Sequence, residues 1–580
     1  MDRKAWIAII LCAVALFYWE WQNAKTRQAA LAAQQAAALA SPSPSATATP
    51  SIETPSAAQP AAAPTPATAA ETRKLRSSVA EYTFTNVDGG IATVELLQHR
   101  AENGTNVIIN NTSNIPIGAV AEEPANWPQT SYAFAAGDDS KIVLESTAPS
   151  GVKITKTFTL SPAAKDLKDP YQVRFDLTFS NPTGSKQDVR QFYISTGAAA
   201  PIHRLDQPRY TNFDYQAGSK TSYINVLGPF EAGRIPLIGI QTSAAKTEVR
   251  ESPGDVLWAG TKNQYFATIL NILDDNRGVG IWAARYDIPL ISPDAQAHHG
   301  INGALGMPGF SLAPGETKTE SFSFYSGPKE YSRLKKLGHE QDEVMEFGLF
   351  KIVSEFLLNA LNWLHSVFKN YATSIIVLTL IIKTGLWTIQ NKSMQSMKKM
   401  SLLAPRMTEL KEKYKDDPTK MNQEMMKLYK EYGINPFAGC LPIFIQMPIF
   451  FGFYTMLAVA VELRNSSFLW VKDLSQPDTV AHVLGFPINL LPIVMALTMV
   501  WQMHITPKTG DAVQQRIFLF MPIIFLVFSY NYASALALYW TVQNIFSIVQ
   551  LYLTRNQPMP ELKKVSAAPA QPVLSGKRKR

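Results

Sequence analysis

Between Tyr371 and Leu553 the chain carries five apolar segments, and nothing else in it restricts the fold as strongly. They run Tyr371–Gln390, Gly439–Val461, Phe486–Ile505, Ile517–Asn531 and Ala535–Leu553. Each is near the roughly 20 residues that cross a bilayer. The fourth is short and interrupted by Met521-Pro522 at its start. Lipid offers no hydrogen bonds, so such segments must satisfy their own backbone groups, and helices do so. Composition conceals this: mean hydropathy is −0.04 and hydrophobic content is 46%, both ordinary. Charged residues make up only 17%, below the usual quarter. The averages therefore mix a polar, soluble half with a nearly chargeless one, as a length of 580 residues allows. Two cysteines exclude a disulfide framework. The net charge of +8 matches a nucleic-acid binder in sign, but its residues lie at the edges of the apolar segments.

A further apolar run, Ala5–Trp19, follows Arg3-Lys4 at the N-terminus and predicts an uncleaved signal anchor over 1–21. Residues 22–71 form an Ala/Pro/Ser/Thr linker without the apolar area to order itself. From 72 to 340 the pattern is β. Val152, Ile154, Phe158 and Leu160 alternate with Lys153, Thr155, Thr157 and Thr159, and Tyr171, Val173, Phe175, Leu177 and Phe179 alternate likewise. Period two puts one face on a core, which predicts a large antiparallel sandwich. Residues 341–370 switch to helical spacing, with Lys351, Glu355, Asn359 and Asn362 opposite Val353, Leu357, Leu361 and Leu364. With Trp363 on board, this reads as an amphipathic helix at the membrane surface.

Charge sets the orientation. The segment 392–437 carries ten Lys or Arg, and the tail 556–580 closes on Lys577-Arg578-Lys579-Arg580, whereas 462–485 has only Arg464 and Lys472. Positive loops stay inside. Six spans, the anchor, 371–391 and four within 438–555, then place both termini inside and the sandwich outside. The segment 392–437 reads as a helical hairpin broken at Asp416-Asp417-Pro418. Met394, Met397, Met400, Met407, Met421 and Met425 stripe it, either as filler between its helices or as an adaptable client-gripping surface.

Lys383 is the residue that points to chemistry. It is the one charge in the span 371–390, roughly 18 Å from Tyr371 at about 1.5 Å per residue. A lysine at such depth costs on the order of 2.5–3.5 kcal/mol. Thr379 lies one turn earlier on the same face, so a water-filled cavity is expected there. Gln446, Tyr539, Trp540 and Asn544 are candidate partners from other spans, with Gln543 beside them. No intramembrane carboxylate accompanies them, which argues against an ion-coupled pump. No phosphate-binding loop is present either.

Ordered motifs carry a resemblance. They are Tyr325-Ser326-Gly327-Pro328-Lys329, Thr379-Leu380-Ile381-Ile382-Lys383, Asn435-Pro436-Phe437-Ala438-Gly439-Cys440-Leu441-Pro442, Gln446-Met447-Pro448-Ile449-Phe450 and Leu538-Tyr539-Trp540. Over 325–555 the chain resembles the YidC/Oxa/Alb family of membrane protein insertases, in its Gram-negative form. The resemblance implies a polytopic α-helical membrane protein of six transmembrane helices, five forming the insertase core, with a large periplasmic antiparallel β-supersandwich. It implies a hydrophilic groove open to the cytoplasm and lined by Lys383, Thr379, Gln446, Tyr539, Trp540 and Asn544. The family usually has an arginine where this chain has Lys383, which keeps the charge and loses the guanidinium fork. Implied partners are nascent membrane proteins, the SecYEG translocon, the ribosome through hairpin and tail, and anionic lipids. No cofactor, metal, catalytic residue or small-molecule substrate is expected in the bacterial inner membrane. The rivals are a solute transporter, which would pair intramembrane charges, and an envelope carbohydrate protein using His99, His203, His298 and His299 of the sandwich.

Overall fold

The alternating segments between Thr72 and Pro328 are strands, all paired antiparallel, in a computed structural model that describes residues 70–161, 163–164, 167–234, 241–289, 299–435, 441–483, 486–506 and 512–554. The expected anchor, the linker up to residue 69, and the basic tail lie outside the described residues. The larger sheet has nine strands, and Gln172–Ser180 lies within it between Lys153–Leu160 and Thr317–Pro328. Register aligns Phe158, Phe175 and Phe322 across these three strands. Their rings stack at 4.7 and 5.8 Å, so the alternation read from sequence becomes one aromatic layer of the core. A five-stranded sheet, in the order Glu248–Glu251, Gly280–Asp287, His299–Met307, Phe192–Ala199, Val120–Ala121, packs against it. Contact is close at Gly303, where an added Cβ would sit 2.1 Å from the ring of Phe213. The result is a β-sandwich.

One inward position breaks the alternation. Lys156 shares the face of Phe158 and Leu160 and is fully buried. Its Nζ donates to the carbonyls of Asp88, Gly89 and Gly118 at 2.6, 2.8 and 3.0 Å, and it lies 4.4 Å from the ring centre of Tyr132. Three acceptors match the three N–H groups of an ammonium, which is how the core tolerates it.

The sandwich leads into the helices through one continuous core. After the last strand come α1 (Tyr331–Leu337) and a turn in which Val344, Met345 and Phe347 are buried. Buried Lys262 closes this junction, with Asp214 Oδ2 at 3.0 Å, Glu346 Oε1 at 2.7 Å and the Val344 carbonyl at 2.8 Å. Next are α2 (Lys351–Phe368), α3 (Tyr371–Gly385), α4 (Trp387–Lys413), α5 (Pro418–Glu431), α6 (Leu441–Val459), α7 (Leu490–Ile505), α8 (Ala512–Ser529) and α9 (Ser534–Thr554).

The amphipathic reading of α2 holds on its inner face, where Leu357, Leu358, Leu361 and Leu364 are buried. Its outer face is also apolar, with Ile352, Phe356, Trp363 and Val367 exposed. The expected single span 371–390 is instead two helices meeting at Leu386 at 58°. The Thr384 hydroxyl donates to the Leu380 carbonyl, and Gly385 follows it. Side-chain back-bonding beside a glycine bends a helix. The segment expected to start at Phe486 as helix begins as a β-hairpin, Thr479–Val483 with Phe486–Asn489, and α7 starts only at Leu490. Helix α8 runs through Pro522 without a break. Among the described residues one helix, α9, is long and apolar enough to cross a membrane alone. The bent pair α3–α4 passes the same test as one unit, while Phe444–Val459, Leu490–Ile505 and Leu519–Ser529 are shorter apolar helices.

Candidate functional site

Helix α9 builds the polar wall of the site. Tyr539, Gln543, Ser547 and Gln550 succeed one another at intervals of four, four and three residues, which keeps them on one face. Every other helix that brings a polar side chain here attaches to that face. From α6, Gln446 Nε2 donates to Tyr539 Oη at 2.8 Å and to Gln543 Oε1 at 3.0 Å. From α3, Lys383 Nζ donates to Ser547 Oγ at 3.3 Å. From α4, Asn391 Oδ1 accepts from Gln550 Nε2 at 3.0 Å. Lys398 Nζ then reaches the carbonyl of Thr554 at 3.1 Å, where the last carbonyls of α9 lack partners within the helix.

Lys383 is 5% exposed, and Ser547 is its one hydrogen-bond partner among the described residues. No carboxylate among them faces it. A buried ammonium with a single neutral partner retains two unused donors. Its local field is positive, so it attracts a carboxylate brought close.

The six residues expected to line the groove separate into four groups. Lys383, Gln446 and Tyr539 belong to the network above. Thr379 is buried on α3, its hydroxyl bonded to the Ile375 carbonyl at 2.7 Å. Trp540 packs between Phe450 and Phe525, with ring centres 4.6 and 4.5 Å away. Asn544 points to α7 instead, donating to Thr498 Oγ1 at 3.1 Å and to the Met495 carbonyl at 3.4 Å. It is an interhelical fastener. Ser547 and Gln550 were absent from the expected set, although their spacing from Tyr539 was the signal that finds them.

Around the polar face the helices are greasy outward. Leu497, Val500 and Trp501 on α7, Leu519, Ile523, Ile524, Val527 and Phe528 on α8, and Ile545, Val549 and Leu553 on α9 are exposed. A continuous apolar surface of this kind needs a partner other than water, and a bilayer is one.

The charged hairpin breaks where expected. Asp417 caps α5 by accepting from Lys420 N at 3.0 Å, with Pro418 at the first helical position. Met400 and Met407 pack on Leu403, Tyr432 and Ile434, the filler reading. Met394, Met397, Met421 and Met425 are half-buried, and Met426 is exposed.

On the opposite end of the helices the sandwich makes polar contacts. Gln264 Nε2 donates to the Ala458 carbonyl at 2.7 Å, Arg209 to Tyr454 Oη at 3.0 Å, and Arg464 to the Arg100 carbonyl at 2.9 Å. The sandwich histidines are each taken up differently. His99 lies edge-on to Phe266, His203 Nε2 faces Glu102 Oε2 at 3.4 Å, and His299 Nδ1 meets Asp287 Oδ1 at 2.7 Å. His298 lies outside the described residues.

Residues 73–360 match a family described as the YidC periplasmic domain, and residues 363–561 match one described as 60Kd inner membrane protein. Named relatives agree. The membrane protein insertase YidC of Syntrophobacter fumaroxidans is 42% identical over 42% of this chain and 45% of its own. That of Geobacter sulfurreducens is 30% identical over 81% of this chain and 83% of its own. The matched stretch thus spans about half of the first relative and most of the second. A crystal structure of an active YidC insertase aligns at 18% identity over 84% of this chain and 93% of that one, with a TM-score of 0.34.

Proposed function

The chain belongs to the YidC family of membrane protein insertases, and from that membership we propose that it inserts nascent inner-membrane proteins through the polar face of α9, with Lys383 receiving acidic client segments. The family is one of insertases, not enzymes. Its members are inner-membrane proteins with a periplasmic domain. In this reading the sandwich is periplasmic, the hairpin and both termini are cytoplasmic, and six spans include the N-terminal anchor. The transporter and carbohydrate readings fall away with the family.

The observation that carries the proposal is Lys383 bound by a single serine hydroxyl among helices whose outer faces are apolar. An extracellular client segment must cross about 30 Å of hydrocarbon, and a polar recess removes part of that distance. A carboxylate at about 4 Å from the ammonium gains on the order of 4 kcal/mol at an effective dielectric of 20. The membrane potential, negative inside, pulls each carboxylate outward by about 2.3 kcal/mol per 100 mV. Two carboxylates feel a pull comparable with the attraction, so the client is captured and then released. Its apolar helix meanwhile leaves along the lipid-facing surface. The hairpin methionines and lysines suit contact with clients, ribosome and anionic lipid, and cooperation with SecYEG fits the same exit.

Insertion of a small acidic client in cells depleted of their own insertase tests this. Lys383→Ala and Lys383→Glu should lower insertion at least tenfold, and Lys383→Arg should retain it. Normal insertion by Lys383→Glu overturns the role.

A further inference from the structure

We propose that Ser547 is a positioning residue that aims the Lys383 ammonium at the groove and thereby sets the preference for acidic clients. This rests on the insertase reading of Lys383 given above.

The geometry is directional. Ser547 Oγ donates its own proton to the Gln543 carbonyl at 2.9 Å, so its lone pairs are what it presents to Lys383 Nζ. The hydroxyl is an oriented acceptor that cannot turn donor without breaking its bond to the helix. A lysine stem has four rotatable carbons, and an unheld one bends toward the nearest headgroups. Helix α3 ends at Gly385, two residues past Lys383, with open space around that glycine. Among the described residues Ser547 is the one hydrogen-bond partner that fixes the direction of the ammonium. The bond to α9 draws the ammonium across the groove, onto the same face as Gln543 and Tyr539.

At 3.3 Å the bond is long for one to a cation. A client carboxylate therefore displaces it readily, and the serine recovers the ammonium when the client leaves. A carboxylate at 547 would do the opposite and hold Lys383 permanently.

The test uses the full-length protein in insertase-depleted cells. It compares a single-span client carrying two aspartates in its translocated segment with the same client carrying two asparagines. Ser547→Ala should lower insertion of the aspartate client roughly fivefold relative to that of the asparagine client, the factor expected for losing one hydrogen bond. Ser547→Thr, which keeps the hydroxyl, should restore the wild-type ratio between the clients. Ser547→Asp should abolish the preference while the protein still accumulates. In a Lys383→Ala background Ser547→Ala should have no further effect. Equal losses on both clients, or an additive loss in the Lys383→Ala background, overturn the positioning role. Full activity of Lys383→Ala alone would instead overturn the underlying reading of the site, so the two failures are distinct.

Discussion

Lys156 and Lys383 are two buried ammonium groups in opposite circumstances. Lys156 spends all three donors on carbonyls of the sandwich and has nothing left to offer. Lys383 has one weak partner and two donors in hand. Burial alone would have ranked them together, but three fixed carbonyls hold Lys156 in place whereas one hydroxyl holds Lys383. Only Lys383 stood out in the sequence, because a charge in an apolar run is anomalous, whereas a lysine in an alternating strand ordinarily faces water. Ser547 and Gln550 were passed over because small polar residues in apolar helices are commonplace. Trp540 and Asn544 drew attention by shared spacing, but spacing gives a common face and not its direction. His99 carries a prediction at this scale. Burial against Phe266, with Arg464 and then Arg333 adding repulsion, pushes it down to about 4 from the ordinary 6.5. The unfolded chain thus binds a proton between those values that the native state refuses, and stability falls as pH drops from about 6.5 to 4. Thermal unfolding in detergent should show that slope, and His99→Gln should flatten it.

At the scale of elements, helix α2 is held to α6 by close approach. The Ser354 hydroxyl donates to the Gly452 carbonyl at 3.1 Å, and a Cβ on Gly452 would sit 2.8 Å from Val353 Cγ1. Gly452→Leu should separate the two helices and cost on the order of 1–3 kcal/mol as overpacking does. Loss of a distinct α2–α6 crosslink between paired cysteines, with a lower melting temperature, checks it. Helix positions were legible because apolar runs of that length admit few alternatives. The kink at Leu386 was not, since it depends on Thr384 turning its hydroxyl onto its own helix. The hairpin Thr479–Asn489 was missed because its first strand lies in the segment 462–485, read as a loop, while Phe486–Asn489 is as apolar as the span it was assigned to, and hydropathy does not tell a strand from a helix.

For the whole molecule, the sandwich and the helices share one hydrophobic core and a set of polar contacts around Arg464, Gln264 and Arg209. None of the groups on the polar face of α9 comes from the sandwich. Deleting 72–320 should therefore leave insertion within a few-fold of normal while lowering the thermal stability of the purified protein. Insertion lost altogether, in a variant that still reaches the membrane, would move the activity into the sandwich.

The amide of Gln446 has one more consequence. It ties α6 to α9 at Tyr539 and Gln543, a turn or more along α9 from the serine that holds Lys383, and toward the end that the sandwich covers. On the insertase reading proposed above, a client entering from the charged side meets this fastening before the sandwich end, and leaving sideways into lipid does not require α6 and α9 to part. An insertase built in that way would move polypeptide without opening a conduit for protons or salt.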